Sequence, residues 1–223
     1  LFLSIVTVIL LVVIGCGSGE KSAAPYGGKP LKLAVIPKGT SHEFWKSVHF
    51  GAEKAAKELG NVEIVWRGPV VESDTGSQIE VVKNMITLGV DGIVLAPNQK
   101  GGLVDAVEES IDESIPVVIF DSGLDESPKI AGYVATDNFK GGQLAAAEMA
   151  KAINKKGNVI LLRYLAGSES TEQRENGFLE GLKEFPKIKV VSADQRGGDN
   201  ATSSKEKVDQ LLQLFGDDLA GIF

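Results

Sequence analysis

Phe44 and Trp45 stand side by side a few residues after an apolar stretch that ends at Ile36, and His42 lies just before them. Asp121 follows the apolar Val117-Val118-Ile119-Phe120, Asn98 follows Leu95-Ala96-Pro97, and Thr136-Asp137-Asn138 follows Tyr133-Val134-Ala135. Arg174 sits two turns into a later helical pattern. Aromatic faces cover C–H surfaces, while carboxylates, amides and a guanidinium bind hydroxyls, so this mixture suits a small polyhydroxylated ligand. Each residue also has a plainer reading. Phe44 and Trp45 either stack on a ligand or pack into a core, and Asp121 either binds or caps a turn. Asp137 or Asn138 either binds or caps the following helix, and Arg174 either reaches a site or pairs along its own helix.

Other chemistries lack their residues. His42-Glu43 begins like a zinc-protease helix, but the position four residues after His42 is Lys46. Cys16 is the single cysteine, which excludes an internal disulfide framework and a thiolate zinc site. There is no nucleophile-elbow Gly-x-Ser-x-Gly, no Walker loop and no dinucleotide fingerprint after a strand. The expectation is a protein that is not an enzyme and uses no cofactor or metal. A net charge of −7 argues against a nucleic-acid partner, because phosphate binding needs a basic face.

The elements that must position these residues alternate. Apolar runs at 31–36, 63–66, 92–96, 116–120 and 133–135 read as strands. Between them lie helical patterns, one to Leu59 with Val48, Ala52, Ala55 and Leu59 on one face, and one capped by Ser77 with Ile79, Val82, Met85 and Ile86 inward. A third helix is expected over 103–112. A second series follows: helices over 141–153, 169–184 and 202–215, the last with Val208, Leu211, Leu212 and Phe215 on one face, and strands over 159–162, 189–193 and 220–223. Continuously apolar strands separated by helices mean parallel sheets covered on both faces. The fold class expected is α/β, two doubly wound, Rossmann-like parallel-sheet domains with a cleft between them. Ligands in such sheets bind beyond the carboxyl ends of the strands, where the residues above fall.

The division expected is an N-terminal domain over 31–136 and a second domain over 137–223. The second series stops within an apolar strand at Ile222-Phe223 and is expected to lack about 90 to 100 residues of a domain of usual size. Leu1–Ile14 is apolar apart from Ser4 and Thr7, too short for a membrane span, and suits the core of a signal peptide over 1–15. Val13-Ile14-Gly15-Cys16 resembles a bacterial lipobox, which makes Cys16 the lipidation site and 16–30 a flexible, lipid-anchored tether.

The order and spacing of several segments resemble the type I periplasmic sugar-binding proteins of ABC transporters, the ribose-binding group and its relatives. The segments are Lys32–Pro37, Phe44–Val48, Gly51–Ala56, Gly89–Pro97, Ile115–Ser122, Val134–Gly142 and Arg174–Phe178. The resemblance implies two similar domains that close on a ligand like jaws. It places the stacking aromatics at Phe44 and Trp45, a hydroxyl-binding carboxylate at Asp121, a hinge at Thr136 and a cleft-reaching guanidinium at Arg174. Two positions depart from the ribose-like pattern, Ser122 in place of Arg and Ala96 in place of Asn, which points away from ribose and toward a related sugar or polyol. It further implies a monomer in the periplasm or on the outer face of the membrane, delivering its ligand to a permease. The rival function is a sugar-sensing receptor that feeds a chemoreceptor or histidine kinase. A repressor of the same fold would need a basic DNA-binding head where Leu1–Gly15 stands.

Overall fold

The computed structural model describes residues 28–125 and 128–223. The proposed signal peptide and tether, with Cys16, fall almost wholly outside them. The first half of the chain runs β1 (Leu31–Ile36), α1 (Glu43–Leu59), β2 (Val62–Trp66), α2 (Thr75–Leu88), β3 (Gly92–Leu95), α3 (Val104–Asp112), β4 (Val117–Phe120) and β5 (Gly132–Val134). Its five strands are parallel, in the order β2-β1-β3-β4-β5. The chain steps to one side of β1 to form β2 and to the other to form β3. This reversal opens a crevice at the carboxyl ends of β1 and β3.

The second half runs α4 (Asn138–Ala152), β6 (Gly157–Ile160), α5 (Glu169–Leu182), β7 (Ile188–Ser192), α6 (Ala201–Phe215), a 3₁₀ turn and β8 (Leu219–Ile222). Its strands are again parallel, in the order β7-β6-β8, with the reversal beside β6. The architecture is the doubly wound α/β fold expected.

Each sheet has its own core. Ile36, Ile93, Leu95, Val117 and Ile119 from the first sheet pack with Val82, Leu103 and Val107 from α2 and α3. Val159 and Leu161 pack with Ala146, Ala150, Phe178 and Leu182 from α4 and α5. The α4–α5 contact depends on glycine. A Cβ on Gly142 would overlap the carbonyl oxygen of Arg174, and one on Gly177 would overlap that of Phe139. Backbone against backbone, the two helices hold Arg174 beside the first turn of α4.

Two local expectations need correction. Asp74, not Ser77, caps α2; its carboxylate accepts from the Ser77 N–H at 2.9 Å, so the helix begins at Thr75. Asp137 caps α4 by accepting from the Lys140 N–H at 2.9 Å, which starts that helix at Asn138 rather than Gly141. The apolar faces read for α1 and α6 are only partly covered. Leu59 is 50% and Leu212 45% exposed, and of the residues on those faces only Leu211 is fully buried. Helical spacing marks the side able to be buried, and tertiary packing decides how much of it is.

Candidate functional site

The chain leaves β1 through Pro37 and Lys38, and His42 then caps α1, its Nδ1 accepting from the Phe44 N–H at 3.2 Å. The cap sets the first turn so that the aromatic pair divides its work. Trp45 is 2% exposed and meets the rings of Phe44 and Phe120 edge-on, at centroid separations of 4.8 and 6.2 Å. Phe44 stays 48% exposed. The Trp45 indole N–H donates to Glu72 Oε1 at 2.8 Å, which brings the loop after β2 against α1.

Asp121 follows β4 in the left-handed conformation, with φ 63°. Asp tolerates that region better than most residues, at a modest backbone cost. Its N–H donates to the Val134 carbonyl at 3.0 Å, and its Oδ2 pairs with Lys38 Nζ at 2.9 Å.

The opposite wall comes from the second sheet and its helices. Arg174 donates to Asn138 Oδ1 at 2.5 Å, and Asn138 Nδ2 donates to the Thr136 carbonyl at 3.0 Å, so the guanidinium is tied to the segment that links the two sheets. Glu175, 4% exposed, pairs with Arg163 at 2.6 Å and accepts from the Tyr164 N–H at 2.9 Å, which fixes the exit of β6. Burial pushes the Tyr164 phenol well above its ordinary range, and the charge of Glu72 and a hydrogen bond to it act in the same direction. Tyr164 therefore stays protonated. Asp199 accepts from the Ser73 hydroxyl at 2.6 Å and the Ser73 N–H at 3.1 Å, across the two halves. The hydroxyl bond is the main reason its carboxyl lies below the usual range.

Between these walls is a cavity of about 400 Å³, lined by Lys38, His42, Phe44, Trp45, Glu72, Asp121, Thr136, Asn138, Gly141, Tyr164, Ser170, Thr171, Arg174 and Asp199. That volume is in the range that holds a small molecule. The lining offers an aromatic face, three carboxylates, two cations, an amide and hydroxyls.

Six expected residues meet here: His42, Phe44, Trp45, Asp121, Thr136 and Arg174. Two do not. Asp137 spends its carboxylate on the α4 cap and is absent from the lining. Asn98 turns into the interior at 3% exposure, because its N–H donates to Gln78 Oε1 at 2.9 Å while Gln78 also binds the carbonyls of Pro37 and Ala96. Its side-chain amide has no hydrogen-bond partner among the described residues. Asn138, read from sequence as binding or capping, lines the cavity; Lys38, Glu72, Tyr164, Ser170, Thr171 and Asp199 line it as well and are not among the residues singled out from sequence. The signal for Lys38 and Tyr164 was present: both follow the strands at which the sheet order reverses.

The fold and this cleft define a two-lobed, doubly wound α/β protein with a polar cavity between its sheets. Residues 33–223 match the model of the periplasmic binding protein domain, and the chain belongs to that family of solute-binding proteins. It is 31% identical over 190 residues to the D-ribose/D-allose-binding protein of Pseudomonas aeruginosa, covering 82% of this chain and 59% of that one. It is 27% identical over 212 residues to the xylitol-binding protein of Mycolicibacterium smegmatis, covering 95% and 58%. The chain thus spans less than two thirds of the length of these curated relatives. Among solved structures, the periplasmic component of an ABC-type sugar transport system from Hahella chejuensis superposes with a TM-score of 0.77 at 36% identity, over 81% of this chain and 66% of that one. A carbohydrate transporter solute-binding protein from Agrobacterium radiobacter, in complex with D-arabinose, superposes with a TM-score of 0.82 at 31% identity, over 87% and 66%.

Proposed function

We propose that this chain is the ligand-gripping part of a solute-binding lipoprotein that captures a sugar or related polyol and delivers it to the permease of an ABC transporter. The observation that carries the reading is the convergence of Phe44, Trp45 and Asp121 from one lobe with Arg174 from the other on one cavity. Phe44 and Trp45 cover the C–H face of the sugar, Asp121 accepts from its hydroxyls, and Arg174 donates to them from the other side. Contacts to both lobes stabilise the closed form over the open one, and closure removes water from the charged hydrogen bonds. The ligands for which these relatives are named or with which they were solved, D-ribose, D-allose, xylitol and D-arabinose, are polyhydroxylated molecules of this kind. In this reading the lobes are residues 31–136 and 137–223, residues 1–15 are a signal peptide, and Cys16 carries a lipid that holds a monomer at the outer face of the membrane.

The test is a thermal-shift screen of the whole protein against pentoses, hexoses and polyols. A true ligand raises the melting temperature with concentration, by the equivalent of about 2.7 kcal/mol at 100 times its Kd. A flat response to the entire panel contradicts the reading.

A further inference from the structure

We propose that Lys38 is a positioning residue that draws the two lobes together before ligand arrives and sets how much of Asp121 a ligand can engage. This second part rests on the reading of the cleft as a ligand site. Lys38 leaves the first sheet at the end of β1, yet it is only 3% exposed. An ammonium has three N–H donors and no acceptor. All three have partners: Asp121 Oδ2 at 2.9 Å, Ser170 Oγ at 2.9 Å and Ser168 Oγ at 3.2 Å. Asp121 belongs to the first lobe, while Ser168 and Ser170 belong to the start of α5 in the second.

The same seam carries two backbone-to-side-chain hydrogen bonds. The Ser170 N–H donates to Ser122 Oγ at 2.9 Å, and the Gly123 N–H donates to Glu169 Oε2 at 3.0 Å. Lys38 is the cation at its centre. A buried charge that loses its partners is costly, whereas a charge returned to water is not. Closed lobes supply Lys38 with both serines; separated lobes hydrate it and Asp121 together. The balance between these states therefore depends in part on this ammonium. Its pairing also occupies Asp121 Oδ2, which leaves Oδ1 as the oxygen free of this ion pair for a ligand hydroxyl.

The prediction concerns the unliganded whole protein, measured by small-angle X-ray scattering. Lys38→Met keeps the stem and removes the charge, so Asp121 gains by opening to water. The double change Ser168→Ala/Ser170→Ala removes the acceptors of the opposite lobe and leaves the ion pair intact. Each shifts the closed-to-open ratio toward open by roughly 10- to 100-fold, the scale of hydrogen bonds to a charged group, and the radius of gyration rises. Lys100→Met, which removes the more exposed interlobe pair Lys100–Glu172, shifts it less. If Lys38→Met does not fold, the serine variant decides alone. Scattering like the wild type in the serine variant overturns the proposal, as does expansion after Lys100→Met equal to that of the serine variant. Titration of the wild type with D-ribose, D-allose, xylitol and D-arabinose runs beside it. Failure of all four to bind counts against the sugar reading and leaves the scattering result to judge the bridge.

Discussion

Trp45 donates its indole N–H to Glu72 at 2.8 Å while its ring is sealed against Phe120, so one side chain is both a core residue and part of the cleft wall. Phe44, next to it, is half exposed and carries little of the core. The two are expected to separate in mutagenesis. Trp45→Ala should cost about 3–5 kcal/mol of stability, the scale of large aromatic truncations in a core. Phe44→Ala should leave stability within about 0.5 kcal/mol, as for an exposed position. It should nevertheless weaken sugar binding by about 1–2 kcal/mol through lost apolar contact. Urea unfolding and calorimetric titration of both variants check this.

The crossing of α4 and α5 offers a second expectation. Gly177→Ala puts a methyl group into the Phe139 carbonyl, a backbone atom that cannot rotate away. The helices must separate, and Arg174 moves with α5. Destabilisation of about 1–3 kcal/mol or more is expected from overpacking. Gly141, on the same first turn of α4 but with nothing within 4 Å of an added Cβ, should accept Ala without that loss. Denaturant midpoints compare the pair.

Acid should loosen the lobes from each other in a defined window. Burial on its own would raise the Glu172 carboxyl. The Gly167 N–H, the bond and charge of Lys100, and the charge of Arg196 outweigh it and hold Glu172 below the ordinary 4.5. Its contribution is therefore complete above that value and is lost as pH falls through the lowered one. Lys100 shifts the other way, chiefly through its hydrogen bond to Glu172 and then through the Glu172 and Asp125 charges. Its contribution is complete below the ordinary 10.5 and is lost only as pH rises past its raised value. The stability difference between wild type and Glu172→Gln should stay constant from about pH 6 to 9 and shrink toward zero in acid below about pH 4. A difference that persists unchanged at pH 3 contradicts the assignment.

Much of this was legible in the chain, for physical reasons that also mark the limit. Strands such as Val117–Phe120 are apolar at every position because both faces are covered, and that pattern is local. Asp121 was found because it directly ends such a strand. Lys38 ends another, yet lysine is so often solvated that its burial in an ion pair is visible only when α5 is seen to approach it. Tyr164 and Asp199 follow β6 and β7, where the same strand-end rule holds, but each lies beyond its apolar run rather than directly after it, so sequence adjacency does not mark it. Asp137 shows the converse: a helix start has its own use for a carboxylate, and the cap takes it. Asn98 was drawn inward by Gln78, a partner twenty positions earlier in the chain that no short motif announces.

The account stands most directly on calorimetric titration of the whole protein with its best-stabilising sugar, for wild type, Asp121→Ala and Arg174→Ala. The prediction is saturable single-site binding by the wild type and a loss of about 1.5–3 kcal/mol in each variant, the worth of a hydrogen bond to a charged group. Unchanged affinity in both variants would remove the two lobes' charged residues from the ligand and with them the claim that this cleft grips it.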